Sequence, residues 1–240
     1  MFPANPDLGS LRKSELLFGL LYLPFFLFGV ESVGRLAVRL MGMDPGDPNA
    51  LVMINLACAV LNAAVLGAVF LRFLSEQFRR VTERGWALFA DLFLGYMLNY
   101  GLSHAAAFFA GFLLTVFGLE YYNLNQEAVN AVVSQLPWAA ILIMCVLAPL
   151  TEELLFRGVL FCGFHRRSRV GAYALSMLAF ALAHVLSALF YQPFILSLTN
   201  LILYLPAGFA LAWAYERSGS IWGAVFLHVA INVVSLLLGR

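Results

Sequence analysis

Apolar runs, each about as long as a bilayer is thick, leave this chain little to become except a bundle of membrane helices. About seven such runs can be marked, roughly at 15–40, 51–73, 87–117, 138–163, 170–191, 194–215 and 219–239. A bilayer admits only helices and closed barrels as spanning structures, because every backbone polar group must be paired internally. Runs near 20 residues fit a helix, whereas a spanning strand needs only about 9–11. Composition agrees: 62% of the residues are hydrophobic and 11% charged, against about 25% charged in soluble domains. The expected fold class is therefore all-α, a polytopic helical bundle forming one membrane domain over residues 1–240, with lipid as its first partner.

Other classes drop out early. The net charge is +1, with no basic stripe interleaved with aromatics, so nucleic acid is not an expected partner. The cysteines Cys58, Cys145 and Cys162 sit in or beside apolar runs without CxxC or Cys/His spacing, and read as apolar filler. Arg12 and Lys13 before Leu16–Val30 resemble the start of a signal peptide, but no small-residue cleavage site follows, so this is read as an uncleaved first span. Its second half, with Glu31, Arg35 and Arg39, is amphipathic. The third run exceeds a simple crossing, and Leu119–Pro137 is the longest polar connection. With the N-terminus inside, Arg12, Lys13, Arg72, Arg79, Arg80, Arg84, Arg166, Arg167, Arg169 and Arg217 fall on inner segments. Only Arg35, Arg39 and Arg240 fall outside, so a cytoplasmic N-terminus in a cell membrane is expected.

Against this background a few polar residues stand out. Glu152, Glu153 and Arg157 follow the apolar run Ala139–Leu150 in the stretch TEELLFRG. Ionisable groups cost roughly 2.5–3.5 kcal/mol each at the centre of a membrane helix, so their presence suggests use. Downstream, FALAH ends at His184, and HVAIN runs from His228 to Asn232. Helical rise puts Glu152, His184, His228 and Asn232 within one broad layer on the inner side. Glu153 and Arg157 are four apart, as are Phe180 and His184, and His228 and Asn232, so each pair shares a helix face. Glu152 lies about 100° round the helix from Glu153, which lets the arginine neutralise one carboxylate while the other faces a cavity. Taken singly, each group has an ordinary reading: a salt-bridge knot at a helix end, a histidine on a backbone carbonyl, and hydrogen-bond glue between helices.

These three motifs, in this order, resemble the CAAX-protease and bacteriocin-processing family (CPBP, or Abi), which includes the type II CAAX prenyl endopeptidases. The resemblance covers about residues 137–238 and extends to ERSGSIWGAVFLHVAIN around the third motif. It implies an intramembrane endopeptidase, of glutamate type in preference to a metallopeptidase. Glu152 and His184 would activate a water, and His228 and Asn232 would stabilise the oxyanion. Glu153, Arg157 and Phe180 would support them. No cofactor is then expected. Zinc stays open, since Glu, His and His are zinc-ligand types, although no HExxH occurs. The substrate would be a peptide or protein reaching the membrane, cut near the cytoplasmic face. Short loops suggest a bacterial plasma membrane, and no residue pattern speaks for a prenyl group. The competing expectation is a non-catalytic membrane protein that binds a peptide, as an immunity factor or scaffold.

Other polar residues carry less. Asp91, Asn99 and His104 in the third run have two readings, lining a cavity or proton path, or packing and interface roles, of which the second is preferred. His165, beside Arg166 and Arg167, reads as a marker of an inner loop. Asn200 and Pro206 suggest a kinked sixth helix.

Overall fold

The computed structural model describes residues 7–238, and among them there are helices and no strands. The chain is an all-α polytopic membrane bundle. The first helix, α1, runs Lys13–Leu40. Pro24 has no N–H to return to the turn before it, and a wider π-type turn follows over Phe25–Gly29. Helix α2 is Pro48–Val69, with the Asp47 side chain accepting from the Asn49 N–H at its start. Expectation and structure part at Phe70, which is wholly buried. The second run ends there, and Arg72 belongs to a separate amphipathic helix, α3, Leu71–Thr82. That helix buries Phe73, Leu74, Gln77 and Val81, exposes Arg79 and half-buries Arg72 and Arg80. Helix α4 spans Trp86–Phe117, about 48 Å at the usual rise, longer than a membrane core.

The expected polar connection 119–137 is mostly helical: α5 is Leu124–Gln135, started by Asn123 accepting from the Gln126 N–H at 3.1 Å. Helix α6 covers Pro137–His165 and contains two π-type stretches, Ile143–Leu147 and Leu154–Cys162. Then come α7, Arg169–Val185, a one-turn α8, Ala188–Tyr191, and α9, Phe194–Ser218. Gly219 in the left-handed region (φ 70°) closes α9 and lets α10, Ile221–Leu238, turn straight back.

Among the described residues six helices reach spanning length, not seven. The fifth expected span, 170–191, shrinks to α7 with 17 residues, about 25 Å. Apolar character continues past Val185, but the helix stops there and the chain folds into α8 before Pro193. Composition marks apolar length and not helix continuity, so this run looked longer than the helix it contains.

The core lies around α6, whose residues Leu154–Phe161 are all buried, and α9, which packs on α4, α7 and α10. α7 and α9 approach closely at Gly208, where a Cβ would stand 3.0 Å from the Met177 carbonyl oxygen. One end of the bundle is rich in arginine and tied by ion pairs: Arg72 with Glu15 (2.7 Å), Arg80 with Asp7 (3.0 Å), and Asp91 with both Arg217 (3.0 Å) and Arg84. The segment before α1 lies across this end. Its Leu8 carbonyl accepts from Gln77 Nε2 and from the Tyr215 hydroxyl, each at 2.9 Å, and Gln77 Oε1 accepts the Ile221 N–H at 2.9 Å.

His165 is not a loop marker. It ends α6, buried, with Nε2 2.8 Å from Glu216 Oε1. Glu216 also binds Arg169 and the Tyr173 hydroxyl. The neighbouring arginines disguised it in the sequence, while its partner lay 51 residues away.

Candidate active site

Helix α6 brings two carboxylates to the middle of the bundle with opposite fates. Glu153 is wholly buried, and its Oε1 accepts from Arg157 Nη1 at 3.0 Å one turn on. Arg157, also fully buried, sends Nη2 to the Gly208 carbonyl at 2.9 Å and lays its guanidinium 4.6 Å over the Phe180 ring. The ion pair is thus a core element and not a snorkelling knot at a helix end. Glu152, one residue earlier, lines a cavity of about 560 Å³. The division of labour expected from the 100° offset is what the structure contains.

Two histidines reach Glu152 from other helices. His184 of α7 is fixed through Nδ1, 2.9 Å from the Phe180 carbonyl, with the Phe180 ring against its own at 4.4 Å between centroids. His228 of α10 is fixed through Nδ1, 2.8 Å from Glu153 Oε1, and meets the same Phe180 ring edge-on at 5.8 Å. A carbonyl only accepts, so His184 Nδ1 carries a hydrogen; an ionised Glu153 requires the same of His228. Both rings therefore turn Nε2 towards the cavity. These lie 3.7 Å (His184) and 4.0 Å (His228) from Glu152 Oε2, which has no hydrogen-bond partner among the described residues. The ordinary readings of the histidines hold for one edge of each ring, while the other edge faces the free carboxylate.

Asn232 also lines the cavity, one turn beyond His228, but its Nδ2 donates to the Met144 carbonyl at 2.7 Å. The backbone supplies the reason. Met144 lies in the π-type stretch 143–147, where a carbonyl bonds five residues ahead, and five residues ahead is Pro149, which has no N–H. Asn232 fills that deficit from a neighbouring helix.

All seven expected site residues thus meet in one place. The remaining lining was under-read. Asn99 and His104 of α4 take the less favoured of their two expected roles and face the cavity with Tyr96, Tyr100 and Ser103, while Asp91 pairs with Arg217 and Arg84 at an interface. Helical spacing was the available signal: 96, 99, 100, 103 and 104 form one face. Tyr204, which stacks on His184 at 4.6 Å, and Asn125, whose Nδ2 donates to the Tyr204 hydroxyl at 3.0 Å, gave no signal in isolation. Asn200 ties to the Tyr122 carbonyl at 2.9 Å, and Pro206 is accommodated within α9. Among the described residues no group of three or more His, Cys, Asp or Glu side chains is arranged to hold a metal ion.

The stretch of the bundle that carries this site is similar to known membrane peptidases. Residues 134–234, which hold every residue of the Glu152 cluster, match the family described as Type II CAAX prenyl endopeptidase Rce1-like. More particularly, 124 residues are 26% identical to "Putative membrane peptidase YdiL" of Bacillus subtilis (strain 168). That alignment covers 51% of this chain and 46% of that protein, so the chain matches under half of its relative's length. No solved structure matches.

Proposed function

We propose that the chain is a glutamate-type intramembrane endopeptidase, with Glu152 and His184 activating water and His228 and Asn232 receiving the oxyanion. The observation carrying this reading is the convergence of two imidazole Nε2 atoms, at 3.7 and 4.0 Å, on one unpartnered carboxylate oxygen. These separations are too long for direct hydrogen bonds and suit bridging by a water. With both Nδ1 atoms committed, a neutral His184 presents Nε2 beside Glu152 Oε2 as a second acceptor unless something between them brings hydrogens, and a water brings two; His228 takes part with a hydrogen on each ring nitrogen. Glu152 takes one of its protons as the oxygen bonds to the peptide carbonyl carbon. Charge developing on the carbonyl oxygen is met by His228, protonated at Nε2, and by the second amide hydrogen of Asn232. The C–N bond then breaks, and the proton held by Glu152 passes to the departing amine. Glu153 and Arg157 keep His228 aligned and balance its charge.

The test compares cells carrying wild type, Glu152→Ala and His184→Ala at equal membrane levels, by profiling new protein and peptide termini. Termini present with wild type and lost in both variants are expected, with rates down by about 10²–10⁴-fold, the range for general acid–base groups. Cleavage retained in Glu152→Ala removes the assignment of Glu152; terminus profiles identical with and without the protein, with a phenotype that Glu152→Ala still rescues, leave a peptide-binding protein. Cleavage is expected to survive a strong chelator; loss on chelation that zinc restores would replace the glutamate mechanism with a metal one.

A further inference from the structure

Resting on that reading, we infer that one face of α4 is the substrate track, holding an extended uncharged stretch of peptide that enters from the end of the bundle opposite the arginines. Tyr96, Asn99, Tyr100, Ser103 and His104 fall at helical spacing and all line the Glu152 cavity. The stripe rises about 12 Å, the length of roughly four extended residues. Across the cavity stand Asn125 and Gln126 of α5 and Ser235 of α10. Among the described residues the wall carries neutral amides, hydroxyls and aromatic rings between aliphatic side chains, Glu152 is its one acidic residue, and no Lys or Arg lines it. Such a wall pairs with main-chain N–H and C=O groups and offers no lysine or arginine to a free carboxylate. Asn99 gives the sharpest sign. It is 9% exposed in the middle of a spanning helix, and its Oδ1 has no partner among the described residues. A buried amide oxygen without a donor is costly, and a bound peptide N–H supplies one.

The direction follows from what closes the other end. Below Glu152 the wholly apolar wall of α6, from Leu154 to Phe156, and the buried Tyr215 fill the bundle. The segment holding Leu8 is bonded across that arginine-rich end. The lining instead continues from Glu152 towards Asn125 and Leu238, at the opposite end. Clustered arginines mark the cytoplasmic side, so the track opens on the extracytoplasmic side. This differs from cleavage near the cytoplasmic face, which the depth of Glu152 along α6 alone had suggested.

The test places a cysteine in the track. With Cys58, Cys145 and Cys162 changed to Ala, Ser103→Cys is expected to react with a membrane-impermeant maleimide in intact cells, and Arg79→Cys, on the exposed rim of α3, only after the cells are opened. Ser103→Cys reacting only in opened cells, or not reacting at all, overturns the access route. Asn99→Leu and Ser103→Trp are then scored on a substrate found by terminus profiling. A rise of at least tenfold in KM for Asn99→Leu, with kcat kept, and loss of cleavage for Ser103→Trp are expected. Wild-type kinetics in both overturn the track while the Glu152 reading stands. Cleavage that survives Glu152→Ala removes that reading alone, and maleimide labelling still decides the route.

Discussion

At the scale of single residues, the site rests on an expensive pair. Glu153 and Arg157 are both wholly buried, and each offsets the other's charge. Arg157→Met removes the arginine partner of the buried Glu153 carboxylate and leaves it only His228. It should cost about 3–5 kcal/mol, read as an earlier unfolding midpoint of the detergent-solubilised protein. Replacing both, as Glu153→Leu with Arg157→Met, should restore much of that stability, because apolar side chains of similar volume fill the same space. The same double variant should stay inactive, because His228 loses the acceptor that turns Nε2 towards Glu152. Recovery of activity together with stability would show that the pair does nothing for the histidine. The spacing of Glu153 and Arg157 gave this pair away in advance. The third member, the Gly208 carbonyl, could not be read, since a backbone acceptor 51 residues distant has no sequence signature.

At the scale of elements, α6 is unusual because a proline sits between its two widened stretches. Pro149 leaves the Met144 carbonyl without its backbone donor, and Asn232 of α10 replaces it. Asn232→Leu should therefore lose about 1 kcal/mol, the low end of the cost of a carbonyl left unpaired, since Met144 is only half-buried. Adding Pro149→Ala, which supplies the missing N–H, should recover stability. If Asn232 also holds the oxyanion, cleavage stays depressed in this repaired background; if glue is its whole role, cleavage returns with stability. The motif His228-x-x-x-Asn232 was visible as one helix face. That its asparagine answers a proline on another helix was not, because the π-type register that pairs position 144 with 149 appears only in the folded backbone.

At the scale of the whole molecule, apolar length made the bundle legible but blurred where its helices end. The continuity of a helix depends on local breaks such as those at Phe70 and after Val185, which average composition hides. Polar contacts between distant segments were equally hidden. The segment before α1 is one case: it is held over the arginine-rich end by Gln77, Tyr215 and Arg80. Asp7 belongs to this fastening. The Gly9 N–H and then Arg80 hold its carboxyl below the ordinary aspartate range, outweighing its slight desolvation. The folded value is lowered, so the stabilisation is complete above the ordinary range and is lost as pH falls through the lowered value. Clipping near residues 7–12 by an acid-active protease should increase as the pH drops below about 4. Asp7→Asn should be clipped readily at any pH. A wild-type profile flat with pH would show that the fastening does not involve the carboxylate.

The close approach at Gly208 acts as a gauge. A methyl group there would meet backbone and side-chain atoms of Met177 at 3.0–3.2 Å, so α7 could stay seated only by giving a few tenths of an ångström. Phe180 and His184 ride on α7 one and two turns further along, and the opposing face of Glu152 belongs to α6, which Arg157 ties to the very carbonyl of residue 208. The gap between imidazole and carboxylate is therefore calibrated by a missing side chain on a third helix. A change of one carbon atom there, touching neither group, would retune the distance that the chemistry depends on.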